Sequence, residues 1–150
     1  MKKIIFGLVT ISILMISSCS QDNSNNPLGA WVFKSTTYNP LSCRSDSSKL
    51  VSTNGTATMT LVFNNTGSLP ASNSDFLVVD TIPAAGQVEV LTTIGTNQYR
   101  SAGGNGAQFV TVTVSPLDSR ITASGTALVL RNTTTPTDSA KLTFTVNQTP

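Results

Sequence analysis

The side chains that could do chemistry in this chain are two cysteines and a few carboxylates that stand apart from one another. Histidine is absent, which removes the commonest general base and the commonest metal ligand. Cys43 therefore has no histidine to turn its thiol into a thiolate. Beyond residue 40 the acidic residues are Asp46, Asp75, Asp80, Glu89, Asp118 and Asp138. Their spacing predicts neither the paired carboxylates of a glycosidase nor a calcium loop. We expect no catalytic residues, no metal and no cofactor.

Residues 1–19 are laid out as a secretory signal that ends at a cysteine. Two lysines precede an apolar run over residues 4–16, which is shorter than the roughly 20 residues of a membrane span. The run ends in Ile16-Ser17-Ser18-Cys19, which resembles the lipobox of bacterial lipoproteins, with Ile for the usual Leu and Ser for the usual Ala or Gly. The resemblance implies cleavage before Cys19 and acylation of that residue with three chains, a stable anchor. A plain secretory signal with a chance cysteine is the alternative.

The residues after the cysteine suggest where the anchor is held. In Gram-negative lipoproteins an Asp directly after the lipidated cysteine favours the inner membrane, but this chain has Ser20. The resemblance thus implies an outer-membrane lipoprotein, with the periplasmic or the surface face left open. Residues 20–27 are polar and have no apolar side chain to pack, so we expect a flexible tether. The expected organisation is a signal peptide at 1–18, the lipidated Cys and tether at 19–27, and a β domain at 28–150.

Removal of the signal changes the charge of the chain. Nine basic residues less Lys2 and Lys3 leave seven, against seven acidic residues, so the mature chain is formally neutral. It therefore lacks the basic footprint of a nucleic-acid-binding protein. Abundant Thr, Ser, Asn and Val favour strands joined by turns. Cys43 has no intrachain partner once Cys19 is acylated, so we expect no intrachain disulfide and a buried thiol, with an intermolecular contact as the alternative.

The alternation of apolar and polar residues predicts eight to ten short strands. Residues 28–38 should form one strand with Trp31 and Phe33 on the same face. Asn54-Gly55 predicts a two-residue type I′ hairpin, which pairs Thr53 with Thr56 and Leu50 with Met59. Further strands should place these residues on single faces: Val110, Val112 and Val114 in one strand, and Leu142, Phe144 and Val146 in the last. Turn signals about every ten residues favour an antiparallel barrel or sandwich.

Two short motifs carry a second resemblance. Gly29-Ala30-Trp31 opens the first mature strand, and TMTLVFNNTGSL follows at residues 58–69. Both resemble small bacterial lipocalin-like lipoproteins, in which a first-strand Trp closes the base of the barrel. The resemblance implies a single antiparallel barrel of about eight strands, with a late basic residue, Arg131 or Lys141, packed on Trp31. The alternative fold is an immunoglobulin-like β-sandwich.

These folds imply two functions. A barrel of eight strands has an interior just wide enough for side chains or one small ligand. A small apolar ligand would contact these candidates: Trp31, Phe33, Met59, Leu61, Phe63, Val112 and Phe144. The same residues could equally form a packed core without a ligand. In the alternative, the domain is a structural or adhesion module that binds another envelope protein or a glycan.

Overall fold

The computed structural model describes residues 27–64, 67–103 and 106–150. Residues 1–26, with the signal, Cys19 and most of the tether, lie outside the described residues. The described part contains eleven strands and no helix. The strands are β1 (Gly29–Phe33), β2 (Thr36–Tyr38), β3 (Ser42–Asp46), β4 (Lys49–Thr53), β5 (Ala57–Val62), β6 (Ser74–Val79), β7 (Gln87–Ile94), β8 (Asn97–Ser101), β9 (Phe109–Val114), β10 (Ile121–Asn132) and β11 (Ser139–Asn147). The expected all-β class is confirmed.

All eleven strands belong to one hydrogen-bonded sheet in the order β2-β1-β11-β10-β9-β6-β7-β5-β4-β3, with β8 between β10 and β7. An immunoglobulin-like sandwich has two sheets, so that alternative is not supported. The sheet is mixed rather than antiparallel, because β6 and β7 run parallel. The connection over residues 80–86 is not a hairpin. It returns the chain to the level of Leu77 in β6, where Leu77 N–H donates to Gly86 O at 3.0 Å.

Strands β7 and β10 each pair with two different strands along their length. Strand β8 pairs with both of them, whereas β6 pairs with β7 and β9 pairs with β10. On β7, residues 87–89 pair with β6 and residues 91–94 pair with β8. On β10, residues 121–125 pair with β9 and residues 130–132 pair with β8. A buried backbone group without a partner is costly, so the junction between these pairings needs side chains to complete it.

Two side chains supply the missing hydrogen bonds at this junction. The Ser101 hydroxyl accepts from Val90 N–H at 3.1 Å and donates to Val79 O. The Gln108 amide accepts from Val129 N–H at 3.2 Å and donates to the carbonyl of Ala127 at 3.3 Å. These side chains therefore supply hydrogen bonds to β7 and β10 at the places where each strand changes partner.

A β-bulge in β10 lies between the segment that pairs with β9 and the segment that pairs with β8. Its register against β11 shifts between Gly125, opposite Phe144, and Leu128, opposite Leu142. Ala127 lies in the bulge with φ 54°, and its N–H donates to Thr143 Oγ1 at 3.0 Å. A bulge of this kind bends the strand and raises its twist. The bend redirects β10 from β9 toward β8.

The predicted first strand is wrong in its extent, because residues 28–38 fold back on themselves. Strands β1 and β2 form a hairpin in which Phe33 pairs with Thr36. The central residues Lys34 and Ser35 have φ 50° and 62°, the left-handed values that a type I′ turn needs at both positions. Neither residue is Gly or Asn, and the alternation continues through the turn. The pattern therefore gave no sign of a break.

The predicted hairpin at Asn54-Gly55 exists, but its register is wrong. Thr53 pairs with Thr58, so the loop has four residues rather than two, and Leu50 lies opposite Leu61 instead of Met59. Asn54 Oδ1 accepts hydrogen bonds from the N–H groups of Thr56 at 3.1 Å and Ala57 at 2.9 Å. The Asn side chain thus stabilises a wider loop. The shift is by two residues, which keeps every side chain on its predicted face.

One hydrophobic core lies on the inner face of the sheet and draws on every long strand. Val110 and Val112 are buried as their alternation predicts, and so are Leu142, Phe144 and Val146. Beyond β11, Thr149 lies beside β3, where its N–H and Oγ1 donate to Cys43 O at 2.6 and 2.7 Å. The C-terminal segment therefore contacts the strand at the far end of the sheet order.

Candidate functional site

The seven residues predicted to contact an apolar ligand lie together in the core. Each has at most 3% of its surface exposed, and all pack within one cluster of buried residues: Trp31, Phe33, Met59, Leu61, Phe63, Val112 and Phe144. Alternation on the strands brings them to one face. Phe63 also lines a surface niche of about 260 Å³ with Leu69, Pro70 and Phe76, and its ring meets Phe76 edge-on at 5.1 Å.

Trp31 packs on an aromatic ring rather than on a basic residue. Its ring stacks on Tyr38 across the β1–β2 hairpin, with centroids 4.0 Å apart and planes 14° apart. Trp31 is fully buried, whereas Arg131 and Lys141 are exposed on the outer face of the sheet. The expectation that one of those two residues packs on Trp31 is therefore wrong. Tyr38 can reach the ring because the chain reverses at Lys34-Ser35, a turn that the sequence pattern did not reveal.

Three side chains from distant parts of the chain form a charged network at one end of the sheet. Lys34 Nζ lies 2.7 and 2.8 Å from the two carboxylate oxygens of Asp138 and donates to Tyr99 Oη at 2.8 Å. Tyr99 Oη in turn donates to Asp138 Oδ2 at 2.9 Å. These hydrogen bonds raise the pKa of Lys34 and lower the pKa of Asp138. The network joins the β1–β2 turn, β8 and the start of β11, and both charges are matched within it.

A second charged group lies on the outer face, across β7, β8 and β10. Arg100 and Arg131 are directly opposite each other in the β8–β10 register. Arg100 Nε lies 2.6 Å from Oε1 of Glu89, whose side chain is only 10% exposed. That oxygen accepts no hydrogen bond in the described structure, so the contact is an ion pair and not an aligned hydrogen bond. Lys141 lies opposite Val129, two positions along β10 from Arg131. We call Arg100, Arg131 and Lys141 the basic strip.

Two surface niches flank Arg100. One, of about 310 Å³, is lined by Asp80, Arg100, Arg131, Asn132 and Thr133 among others. The other, of about 150 Å³, lies over β5, β7 and β8 and has a mostly polar lining that again includes Arg100 and Thr133. The outer face therefore offers charged and hydrogen-bonding groups in a concave surface. Its residues come from strands far apart in sequence, so no local motif indicated them.

The described residues contain no candidate metal centre, and the Cys43 thiol is not poised to act as a nucleophile. No cluster of three or more acidic, Cys or His residues that could hold a metal occurs among them. Cys43 is buried, and burial raises the pKa of its thiol to about 12, so it is protonated at neutral pH. Within the same ranges no helix is long and apolar enough to cross a membrane.

Comparison with known proteins gives no relative for this chain. No protein-family model matches it, and neither does any curated protein or solved structure.

Proposed function

We propose that this protein is a lipid-anchored, non-catalytic binding protein of the bacterial cell envelope, which contacts its ligand through the outer face of a packed β domain. The observation that carries this proposal is the state of the interior. The seven apolar candidates fill the core with at most 3% of their surface exposed. Packed interiors have few voids larger than a water molecule, so a ligand there would have to displace side chains. The outer niches need no such rearrangement.

The anchor part of the proposal rests on the sequence. Cys19 ends an apolar run that is too short to span a membrane, and a lipobox-like tetrapeptide surrounds it. Ser20 favours the outer membrane by resemblance. Residues 20–27 then separate the lipid from β1, which begins at Gly29. In this proposal the domain stands off the bilayer on a short polar tether and exposes its outer face to the aqueous compartment.

We also propose that the sheet curves into a barrel-like shape. Support comes from the two hydrogen bonds of Thr149 to Cys43 O, which link the segment after β11 to β3. A single core surrounded by one sheet is consistent with this shape. The connectivity differs from that of an up-and-down lipocalin barrel, because β6 and β7 are parallel and several neighbours are not consecutive.

A second candidate function is binding of a small apolar ligand, as the lipocalin-like motifs imply. The niche beside Phe63 favours it, because Phe76, Leu69 and Pro70 give it an apolar wall. Its volume of about 260 Å³ is just below the usual range of ligand sites, about 300–1,000 Å³. This candidate concerns the rim of the core and leaves the packed interior unchanged.

Fractionation of the full chain in a Gram-negative host tests the anchored state. We expect the wild type in the outer membrane, and Cys19→Ala either soluble or uncleaved. Cys43→Ala is the matched control, because it removes the other thiol and should leave the protein in the membrane. A mature-sized Cys19→Ala protein that still fractionates with the outer membrane would contradict the proposed anchor.

A further inference from the structure

Arg131 is exposed, and in the described part of the chain no carboxylate lies within ion-pair distance of its guanidinium group. Among residues 27–64, 67–103 and 106–150, it forms no ion pair and no side-chain hydrogen bond. Its cross-strand neighbour is Arg100, and like charges directly opposite each other destabilise a strand pair. Glu89 lies 2.6 Å from Arg100 and offsets that charge. The charge of Arg131 is therefore not neutralised by an ion pair, and the residue opposite it on β8 is also cationic.

The distribution of ion pairs concentrates positive charge here. Lys34, Arg100 and Arg120 each have a carboxylate within 3.1 Å. Lys49 lies opposite Asp46 in the β3–β4 hairpin. Of the seven basic residues in the described part, Arg44, Lys49, Arg131 and Lys141 form no ion pair. Arg131 and Lys141 are diagonal neighbours in the basic strip. The three cations of the strip face two nearby carboxylates, Glu89 and Asp80, which leaves one excess positive charge to attract an anion.

Asp80 limits which anion fits. It lines the same 310 Å³ niche as Arg100 and Arg131. It also packs closely on Gly103, because a Cβ added there would lie 2.9 Å from Asp80 Cγ. A ligand that was anionic throughout would be repelled by this carboxylate. A hydroxyl group would instead donate a hydrogen bond to it, so the niche suits a molecule with a carboxylate at one end and hydroxyls at the other.

We propose that this niche binds an acidic sugar residue of the hexuronic acid type, with Arg131 as the principal carboxylate-binding residue. The guanidinium fork matches a carboxylate in a bidentate arrangement. Asp80 and Thr133 provide acceptors and a donor for sugar hydroxyls. This inference rests on the proposed outer-face binding function and names its ligand class.

Calorimetric titration of the full chain in mild detergent tests the inference, with glucuronate as the probe and glucose as its neutral match. We expect saturable binding of glucuronate that weakens with added salt, and little binding of glucose. Arg131→Gln should weaken glucuronate binding by about tenfold or more, because it removes a charge-assisted contact. Arg44→Gln is the matched control, since Arg44 is exposed on β3 with no acidic partner, and it should leave binding unchanged.

Three results with the sugar probes would overturn the inference. They are equal weakening by Arg44→Gln and Arg131→Gln, equal binding of glucose and glucuronate, or no saturable glucuronate binding. Binding of inorganic phosphate as tight as that of glucuronate would also contradict the inference, because the niche would then recognise anions in general and not an acidic sugar. Gly103→Ala adds a further check, because displacement of Asp80 should weaken glucuronate more than phosphate. Fractionation of Cys19→Ala does not depend on Arg131, so failure of the sugar site and failure of the anchor are distinguishable.

Discussion

Gly29 illustrates how one residue can fix the start of the domain. Its φ is 81°, and a Cβ added there would lie 1.9 Å from the carbonyl oxygen of Thr145 on β11. Only glycine allows this approach of β1 to its neighbour. The glycine of the Gly-x-Trp motif therefore allows β1, the strand that carries Trp31, to pack closely against β11.

We expect Gly29→Ala to lower the free energy of unfolding by more than about 2 kcal/mol, since it combines a left-handed backbone with a backbone clash. Gly55→Ala is the control. Gly55 has φ 91°, but the nearest atom to an added Cβ is a side-chain carbon of Leu41 at 3.9 Å. It should cost about 1 kcal/mol. Urea unfolding measures both, and equal losses would contradict the role of the Thr145 contact.

The network of Lys34, Tyr99 and Asp138 makes stability depend on pH at both extremes. The pKa of Asp138 is lowered by its hydrogen bonds, so its contribution is present above its unfolded value near 3.8 and disappears as pH falls through the folded value. The pKa of Lys34 is raised above 10.5, so its contribution is present below that pH and disappears as pH rises through the folded value.

Melting temperatures of the wild type and of Asp138→Asn across pH test this dependence. We expect the variant to melt lower at neutral pH, with the difference shrinking below pH 3.8 and again above pH 10.5. Asp46→Asn alters an exposed carboxylate at a hairpin, where exposed ion pairs contribute little, and should not reproduce this profile. A wild-type advantage that does not change with pH would contradict the network as a source of stability.

At the scale of elements, the bulge in β10 is the feature that lets one strand pair with both β9 and β8. Ala127 holds a left-handed backbone there at φ 54° without being glycine. We expect Ala127→Gly to raise the free energy of unfolding by about 1 kcal/mol, because the left-handed strain is relieved. Ala123→Gly in the same strand should do the opposite, since Ala123 is fully buried and lacks a left-handed backbone. Destabilisation by both changes would show that the bulge is not strained.

The faces of the strands were predictable from the sequence, whereas their partners were not. Alternation in β9 placed Val110 and Val112 inside correctly, because the two-residue period is local. The partner of each strand depends on contacts between residues far apart in sequence, such as those between Lys34 and Asp138, which are 104 residues apart. The turn at Lys34-Ser35 carries no Gly or Asn, and Asn54 stabilised a wider loop through its side chain. Left-handed backbone at Lys34-Ser35 forms the first turn, and the side-chain hydrogen bonds of Asn54 set the length of the second loop.

For the molecule as a whole, the central feature is a filled interior beneath a polar outer face. The apolar candidates could be named from the sequence because large apolar residues on one face of a strand are usually buried. Whether they enclosed a ligand or one another depended on the space between strands, which no local pattern specifies. The outer niches and the basic strip likewise required the β8–β10 register, which sets Arg100 opposite Arg131.

Fluorescence of the single tryptophan tests the account most directly, because Trp31 is fully buried in the core and stacks on Tyr38. Titration of the full chain with a long-chain fatty acid should leave the emission maximum and intensity of Trp31 unchanged, since the proposed function places the ligand on the outer face. A saturable change in Trp31 emission, absent in a variant with an enlarged side chain at Val112, would place the ligand inside the β domain and contradict binding at the outer face.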